Sequence, residues 1–345
     1  MEIKEKKFGL LSNGKKVKLY TLSASGLKFS LTDYGAAWTS LIVPSGKGKK
    51  DDVLLGYSGL EGYFTNEPYI GVTVGRFANR IKGASFSIQG KTYNIDANEG
   101  RNNLHSGWRG FDKLLWKSES YEEKEGVYVR FDLESSNGDG GFPGNLNVSV
   151  IYGLTKSNEL ICDYFVKSDR PCPVNLTNHA YFNLAGQGKG DILSHEALLH
   201  SSFYVEVDKS CIPTGRLLPV SGSCFDFKSR RKIFNGDSLL KPFKGYDHCF
   251  VVDGTPGKLR PCAEIYEPAS GRSMRVFTTQ PGVQFYTGNH LNNAAGKFGS
   301  VYKKYYGFCL ETQHFPDTPN QPGFPQCIAG PGQDYHEKAV FLFNL

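Results

Sequence analysis

The stretch L-N-V-S-V-I-Y-G-L-T-K-S-N-E-L-I-C-D-Y-F-V (residues 146–166) holds two alternating runs, 146–154 and 160–166, joined through Lys156-Ser157-Asn158. Successive residues of a strand face opposite ways, so alternation of this kind marks a strand with one face in a core. Lys, Ser and Asn supply the turn, and the stretch reads as an antiparallel hairpin. The same pattern recurs along the chain. Residues 127–133 alternate and lead into a Gly- and Ser-rich loop at 135–144. Residues 86–95 read as a hairpin turning at Gln89-Gly90. Further strands are expected at 203–207, 263–266, 274–278, 284–287 and 339–343, with a strand-like run at 70–74. Only 192–200 and 236–240 carry a weak helical pattern. No linker or fixed repeat divides the chain, so residues 1–345 read as one domain of packed antiparallel sheets, an all-β fold.

Composition agrees. The 345 residues are 39% hydrophobic and 21% charged, as in ordinary globular proteins, but 13% are aromatic, with 40 glycines and two methionines. Aromatic and glycine enrichment favours strands and turns over helices. The net charge of +6 is dispersed, and its densest patch, Lys47, Lys49 and Lys50, runs straight into Asp51-Asp52. That reads as a solvated turn, too small for a nucleic-acid footprint. No window approaches the roughly 18 apolar residues of a membrane span. The N-terminus has no apolar signal-like region. Eight cysteines lie scattered without a C-x-x-C pair, as reduced buried thiols of a cytoplasmic protein would.

Phosphate-loop, dinucleotide, zinc-protease and serine-hydrolase motifs are all absent. Glu311-x-x-His314 has a metal-like spacing, but Pro316 and Pro319 forbid the helix that such a site needs, so no metal is expected. What remains is a set of polar residues in apolar company. Arg76, Asn79 and Arg80 follow the run at 70–74. His105 sits in a loop flanked by glycine. His179 and Tyr181 lie among Asn and apolar residues, and Asp247-His248 and Gln284 open or occupy strands. Phe308-Cys309-Leu310 reads as a strand leaving the core and delivering Glu311 to its rim. Such side chains beside aromatic faces suit a sugar, whose hydroxyls take hydrogen bonds and whose ring takes a flat apolar platform. Trp38, Phe77, Trp108, Tyr181 and Phe285 are the candidate platforms.

The blocks G-R-F-A-N-R-I, N-N-L-H-S-G, T-N-H-A-Y-F-N-L-A-G, G-Y-D-H, T-Q-P-G-V-Q-F-Y-T-G-N and F-C-L-E-T-Q-H-F-P-D resemble, in order, the signature blocks of the aldose 1-epimerases, or galactose mutarotases. Asp52-Val-Leu-Leu-Gly56 and Gly141-Phe-Pro-Gly144 extend the likeness over nearly the whole chain. The resemblance implies a large antiparallel β-sandwich, the supersandwich of that family, and interconversion of the α and β anomers of free glucose or galactose. It implies Glu311 as general base and His179 as general acid. Asn79, Arg80, His105, Tyr181, Asp247 and Gln284 match positions that hold the sugar. Two departures stand out: Ser106 where the family often has Gly, and His248 where Asn is common. Ser106 bears on hexose preference, by crowding the loop or adding a hydroxyl contact.

Opening a cyclic aldose at C1 needs one proton taken from the C1 hydroxyl and one given to the ring oxygen. Nothing is oxidised and no group leaves, so no cofactor is required. Three other readings stay open, one of them a specialised metabolic isomerase acting on another hemiacetal. A hexose-6-phosphate 1-epimerase would need a cationic phosphate pocket, for which Arg109 or Lys113 is at hand. A non-catalytic sugar sensor would have no use for Glu311 and His179 as a proton-handling pair.

Overall fold

A computed structural model describes residues 1–46, 48–233 and 236–344. The hairpin at 146–166 forms strands Leu146–Thr155 and Glu159–Ser168. Their register sets Val148 opposite Val166, Val150 opposite Tyr164 and Tyr152 opposite Cys162, and all six side chains are buried. Alternation therefore does what it promises: one face of the hairpin is core, the other meets solvent.

This hairpin belongs to a nine-stranded antiparallel sheet. Its order is Lys117–Glu123, Gly126–Ser135, Leu146–Thr155, Glu159–Ser168, Tyr335–Asn344, Ser273–Thr278, Arg260–Tyr266, Glu196–Leu199 and Arg231–Lys232. A five-stranded sheet runs through Glu2–Leu10, Lys16–Ala24, Leu27–Thr32, Ala37–Pro44 and Lys50–Asp52. A second five-stranded sheet is ordered Pro213–Pro219, Phe203–Val207, Asp247–Val251, Gly282–Tyr286 and Cys309–Gln313. One buried cluster joins all three. Trp38 of the first small sheet meets Tyr152 and Phe341 of the large one edge-on, at centroid distances of 5.4 and 5.5 Å. Phe250, Val283, Phe285 and Leu310 bring the second small sheet into the same cluster. Among the described residues, helix is limited to Glu61–Phe64 and short 3₁₀ turns, and no helix is long and apolar enough to cross a membrane.

Several expectations need correction. Residues 192–200 contain no helix; Glu196–Leu199 is a strand paired with Arg260–Tyr266, burying Ala197 and Leu199 by alternation. Near 236–240 the chain makes a 3₁₀ turn, Ser238–Phe243, capped by the Asp237 carboxylate accepting from the Leu239 amide. Of the run 70–74 only Thr73–Val74 is strand, paired with Thr177–Asn178. Gln89 and Gly90 both adopt positive φ (51° and 77°), the geometry of a tight two-residue hairpin turn. Lys49 and Lys50 are exposed, and Lys47 lies outside the described residues. The eight cysteines are unpaired, and all but Cys211 are buried.

Arg76 explains how the loop at 135–144 is held. Its guanidinium is 2% exposed and donates to Ser135 Oγ at 2.9 Å, to the carbonyls of Pro143 and Gly144 at 3.0 and 3.1 Å, and to the carbonyl of Ser136 at 2.6 Å. Arg76 is thus a structural residue that closes the loop onto the core. Arg76→Met strands those buried acceptors, and the expected loss is about 3 kcal/mol of unfolding free energy. Urea unfolding checks it; an unchanged midpoint would show that the loop holds without the guanidinium.

Candidate active site

Three neighbouring strands build one wall of the candidate site. In their register Asp247 lies opposite Tyr286, and Gln284 opposite both Cys249 and Glu311. Side chains directly opposite in an antiparallel pair share a face, so Asp247, Gln284, Tyr286 and Glu311 come together. The intervening residues Phe250, Phe285 and Leu310 point the other way, into the core. Glu311 is therefore not at the rim of a strand. It is the middle residue of Cys309–Gln313, a strand buried throughout, and is 3% exposed.

Backbone pairing brings up the second wall. The His179 amide donates to the Val72 carbonyl and its carbonyl accepts from Gly71, both at 2.9 Å. The Tyr181 hydroxyl donates to the Pro68 carbonyl at 2.9 Å, and its ring stacks on His179 with centroids 5.0 Å apart. Tyr69 lies nearly parallel to His179 at 6.1 Å and packs on His105 at 4.6 Å. His179 Nε2 then stands 3.7 Å from Glu311 Oε1.

The third wall carries Asn79, Arg80 and His105. Asn79 and His105 both hold positive φ (68° and 52°), which turns the chain sharply at each. Gly107 completes the loop at φ 92°, where a Cβ would fall 2.3 Å from Asp96 Cβ, so only glycine fits. His105 Nδ1 accepts from the Asn79 amide at 3.2 Å, which leaves Nε2 as the protonated nitrogen of a neutral ring. Arg80 forks onto Glu99 through Nε and Nη2 at 2.8 and 2.7 Å. Gln284 Nε2 donates to Asp247 Oδ1 at 2.6 Å. Together these groups line a cavity of about 260 Å³. Glu311 Oε2 and Gln284 Oε1 are buried without a hydrogen-bond partner among the described residues. Orphaned buried acceptors cost stability unless something fills them, and a ligand rich in hydroxyls would do so.

Burial dominates the protonation of this site. It raises the Glu311 carboxyl well above its ordinary value; Asp247 adds to that and Arg80 opposes it. It lowers His179 to about 4 despite an opposing pull from Asp247. His105 is driven well below its normal value by burial and by the positive fields of His179, Arg80 and Lys113. Arg80 stays charged, because Asp247 and Glu99 overcome the effect of burial.

All eight residues expected from the sequence line this cavity: Glu311, His179, Asn79, Arg80, His105, Tyr181, Asp247 and Gln284. The platform expectation fares worse. Trp38, Phe77 and Phe285 are wholly inside the core, and Trp108 is 64% exposed and off the cavity. Tyr69 and Tyr286 line the site instead, beside Tyr181. Tyr286 was signalled by its position two residues after Gln284 in one strand; Tyr69 and Glu99 had no local signal. Ser106 does not touch the cavity: its hydroxyl accepts from the Phe77 amide at 2.7 Å and is fully engaged with that backbone. His248 faces away and packs against Phe225 and Phe243, both at 4.7 Å. Arg109 and Lys113 are not among the residues that line the cavity; Lys113 pairs with Asp112 at 3.6 Å and stands 5.8 Å from the centre of the Tyr69 ring. His314 binds Glu337 at 3.0 Å and takes no part in a site with Glu311.

A family model described as "Aldose 1-epimerase" matches residues 18–341. The chain belongs to the aldose 1-epimerase family. The galactose mutarotases of Rattus norvegicus and Homo sapiens are each 43% identical to it, covering 98% of this chain and 97% of theirs. The aldose 1-epimerase of Escherichia coli K12 is 35% identical over 97% of both chains. Among solved structures, a GalM/aldose epimerase homologue from C. elegans superposes with a TM-score of 0.84 at 29% identity, covering 94% of this chain and 98% of that one. The supersandwich expectation holds in the architecture as well as in the likeness.

The His105 tautomer is directly testable. In ¹⁵N NMR the ring is expected to show a protonated Nε2 and a bare Nδ1, and to stay neutral well below the pH at which a free imidazole gains its second proton, given burial of the neutral form. A doubly protonated ring at pH 6 would contradict the hydrogen bond from Asn79.

Proposed function

We propose that this chain interconverts the α and β anomers of free hexoses such as glucose and galactose, with Glu311 as base and His179 as acid. The observation that carries the reading is a carboxylate and an imidazole 3.7 Å apart, both buried, in a cavity otherwise furnished with hydroxyl-binding groups. Names borne by the relatives, galactose mutarotase and aldose 1-epimerase, support the same reaction. Glu311 takes the proton of the C1 hydroxyl while His179 gives one to the ring oxygen, and the ring opens to the aldehyde. Rotation about C1–C2 presents the other carbonyl face, and closure returns both protons. Neutral His105 donates through Nε2, and Arg80 adds positive charge, where negative charge develops on oxygen. Asp247, Gln284 and Asn79 hold hydroxyls, and Tyr69, Tyr181 and Tyr286 supply apolar faces.

Burial alone would leave Glu311 protonated and His179 neutral in the empty cavity. The reactive arrangement, ionised Glu311 beside protonated His179, holds the same single proton. It is reached by shifting that proton across the pair, aided by sugar hydroxyls that hydrogen-bond the carboxylate, with no exchange with solvent. Activity is therefore expected wherever the pair holds one proton. The profile of kcat/KM against pH should fall on the acid side near pH 4, as His179 gains a second proton. On the alkaline side it should fall at a pH well above the ordinary carboxylate value, as Glu311 loses its own. Asp247 raises both groups, so Asp247→Asn should move both limbs to lower pH. Limbs that stay in place would exclude Asp247 as their electrostatic neighbour.

Glu311→Gln and His179→Asn test the roles themselves. Each is expected to lower kcat for galactose anomerisation by about 10²–10⁴-fold in polarimetry, the range for general acid–base help. Near-wild-type turnover in either variant refutes that residue's role. A hexose 6-phosphate preferred over the free sugar would overturn the substrate assignment.

A further inference from the structure

Directly behind the residues that line the cavity lies a group that the proton-transfer reading does not use. Cys309 lies two residues before Glu311 in the same strand, and its Sγ sits 3.5 Å from His179 Nδ1. His179, Cys309 and Glu311 each offer a ligand atom within 4.8 Å of the others; among the described residues no other trio of His, Cys, Asp or Glu does so. Their exposures are 6%, 0% and 3%, and Glu311 Oε2 has no hydrogen-bond partner among the described residues. A zinc ion holds nitrogen, sulfur and oxygen at about 2.0–2.3 Å, roughly 3.3–3.7 Å apart from one another; His179 faces Cys309 through Nδ1 and Glu311 through Nε2, so its ring would have to turn to bring one nitrogen to both as the side chains close in.

We propose that His179, Cys309 and Glu311 form an inhibitory site for a thiophilic divalent cation such as Zn²⁺, whose binding excludes the sugar by occupying both proton-handling groups. The donor set suits that ion: soft thiolate, borderline imidazole and one carboxylate leave a fourth position open toward the cavity. Charge suits it as well. Thiolate and carboxylate together cancel a divalent cation, and imidazole adds none, so the loaded site is formally neutral in surroundings that penalise net charge. Burial holds the Cys309 thiol and the Glu311 carboxyl in their protonated forms, and the metal would displace both protons. Its affinity should therefore rise with pH. This site is distinct from the Glu311-x-x-His314 spacing, whose histidine is engaged by Glu337.

Co²⁺ reports on the site without reference to turnover. Metal-free full-length protein titrated with Co²⁺ is expected to take up one equivalent with a thiolate-to-cobalt charge-transfer band. Galactose, at a concentration that saturates turnover, should suppress that band. Cys309→Ser, checked for folding by circular dichroism and thermal melting, should lose the band and bind Zn²⁺ at least tenfold more weakly in equilibrium dialysis. Zn²⁺ inhibition, measured against each variant's own uninhibited rate, should weaken by the same factor. A band that persists in Cys309→Ser, no band in the wild type, or Zn²⁺ binding indifferent to galactose overturns the proposal. A band and dialysis result as expected in a protein that turns over no sugar would sink the epimerase reading and leave the metal site standing.

Discussion

Across Asp247–Val251, Gly282–Tyr286 and Cys309–Gln313, each side chain that reaches the cavity has a strand neighbour that fills the core. Glu311 lies between Leu310 and Thr312, and Gln284 between Val283 and Phe285. A slip of one residue in either pairing would drive Glu311 or Gln284 into the apolar cluster and lift Leu310 or Phe285 into the cavity. Burying an unpaired carboxylate there costs several kcal/mol, and exposing those apolar groups adds a further loss. The hydrophobic core thus enforces the register, and the register sets the chemistry. No loop could fix four polar groups on one face as firmly as a buried antiparallel ladder does.

The other walls depend on turns that are unfavourable by themselves. Asn79, His105 and Ser106 all hold positive φ, at a cost on the order of 1 kcal/mol or more apiece. Each is held by a specific partner. Asn79 Oδ1 accepts from the Arg80 amide, His105 Nδ1 from the Asn79 amide, and Ser106 Oγ from the Phe77 amide. The bonds that stabilise the turns also orient the functional groups. His105 is fixed as an Nε2 donor by the same contact that anchors its loop. A serine at 106 ties that scaffold to the Phe77 backbone without lining the cavity.

The strands were legible because alternation and burial agree in them: 127–133, 146–154, 160–166 and 203–207 all fall on observed strands. Short segments such as 192–200 misled, since four residues of strand are decided by the partner they find rather than by local pattern. The residues lining the site were legible from their placement in the ordered blocks. Their partners were not. Glu99 reaches Arg80 across 19 positions, and Tyr69 enters from a turn without distinctive spacing. Aromatic content gave no guide to orientation: Phe285 and Tyr286 are adjacent, and the pleat sends one to the core and the other to the cavity. Glu311 was misplaced to a strand end because its polar successors, Thr312 and Gln313, resemble a solvated exit; they are in fact buried.

A pair that shares one proton matches a reaction with no net proton change. In the mechanism we propose, opening from one anomer transfers a proton to the carboxylate and removes one from the imidazole, and closing to either anomer reverses both. Under the proposed roles the ring-opened intermediate would leave the pair as protonated Glu311 and neutral His179, the distribution that burial favours. On that proposal burial would oppose charge separation in the cyclic complex and favour the open form, drawing the open intermediate closer in energy to the rings on either side. Too much of this would trap the aldehyde. Arg80, which lowers the Glu311 value, acts against the trap, whereas Asp247 raises both groups and so does not by itself move the proton from one to the other. Their own positions are fixed by Glu99 and Gln284, so the balance rests on hydrogen bonds formed before any sugar arrives.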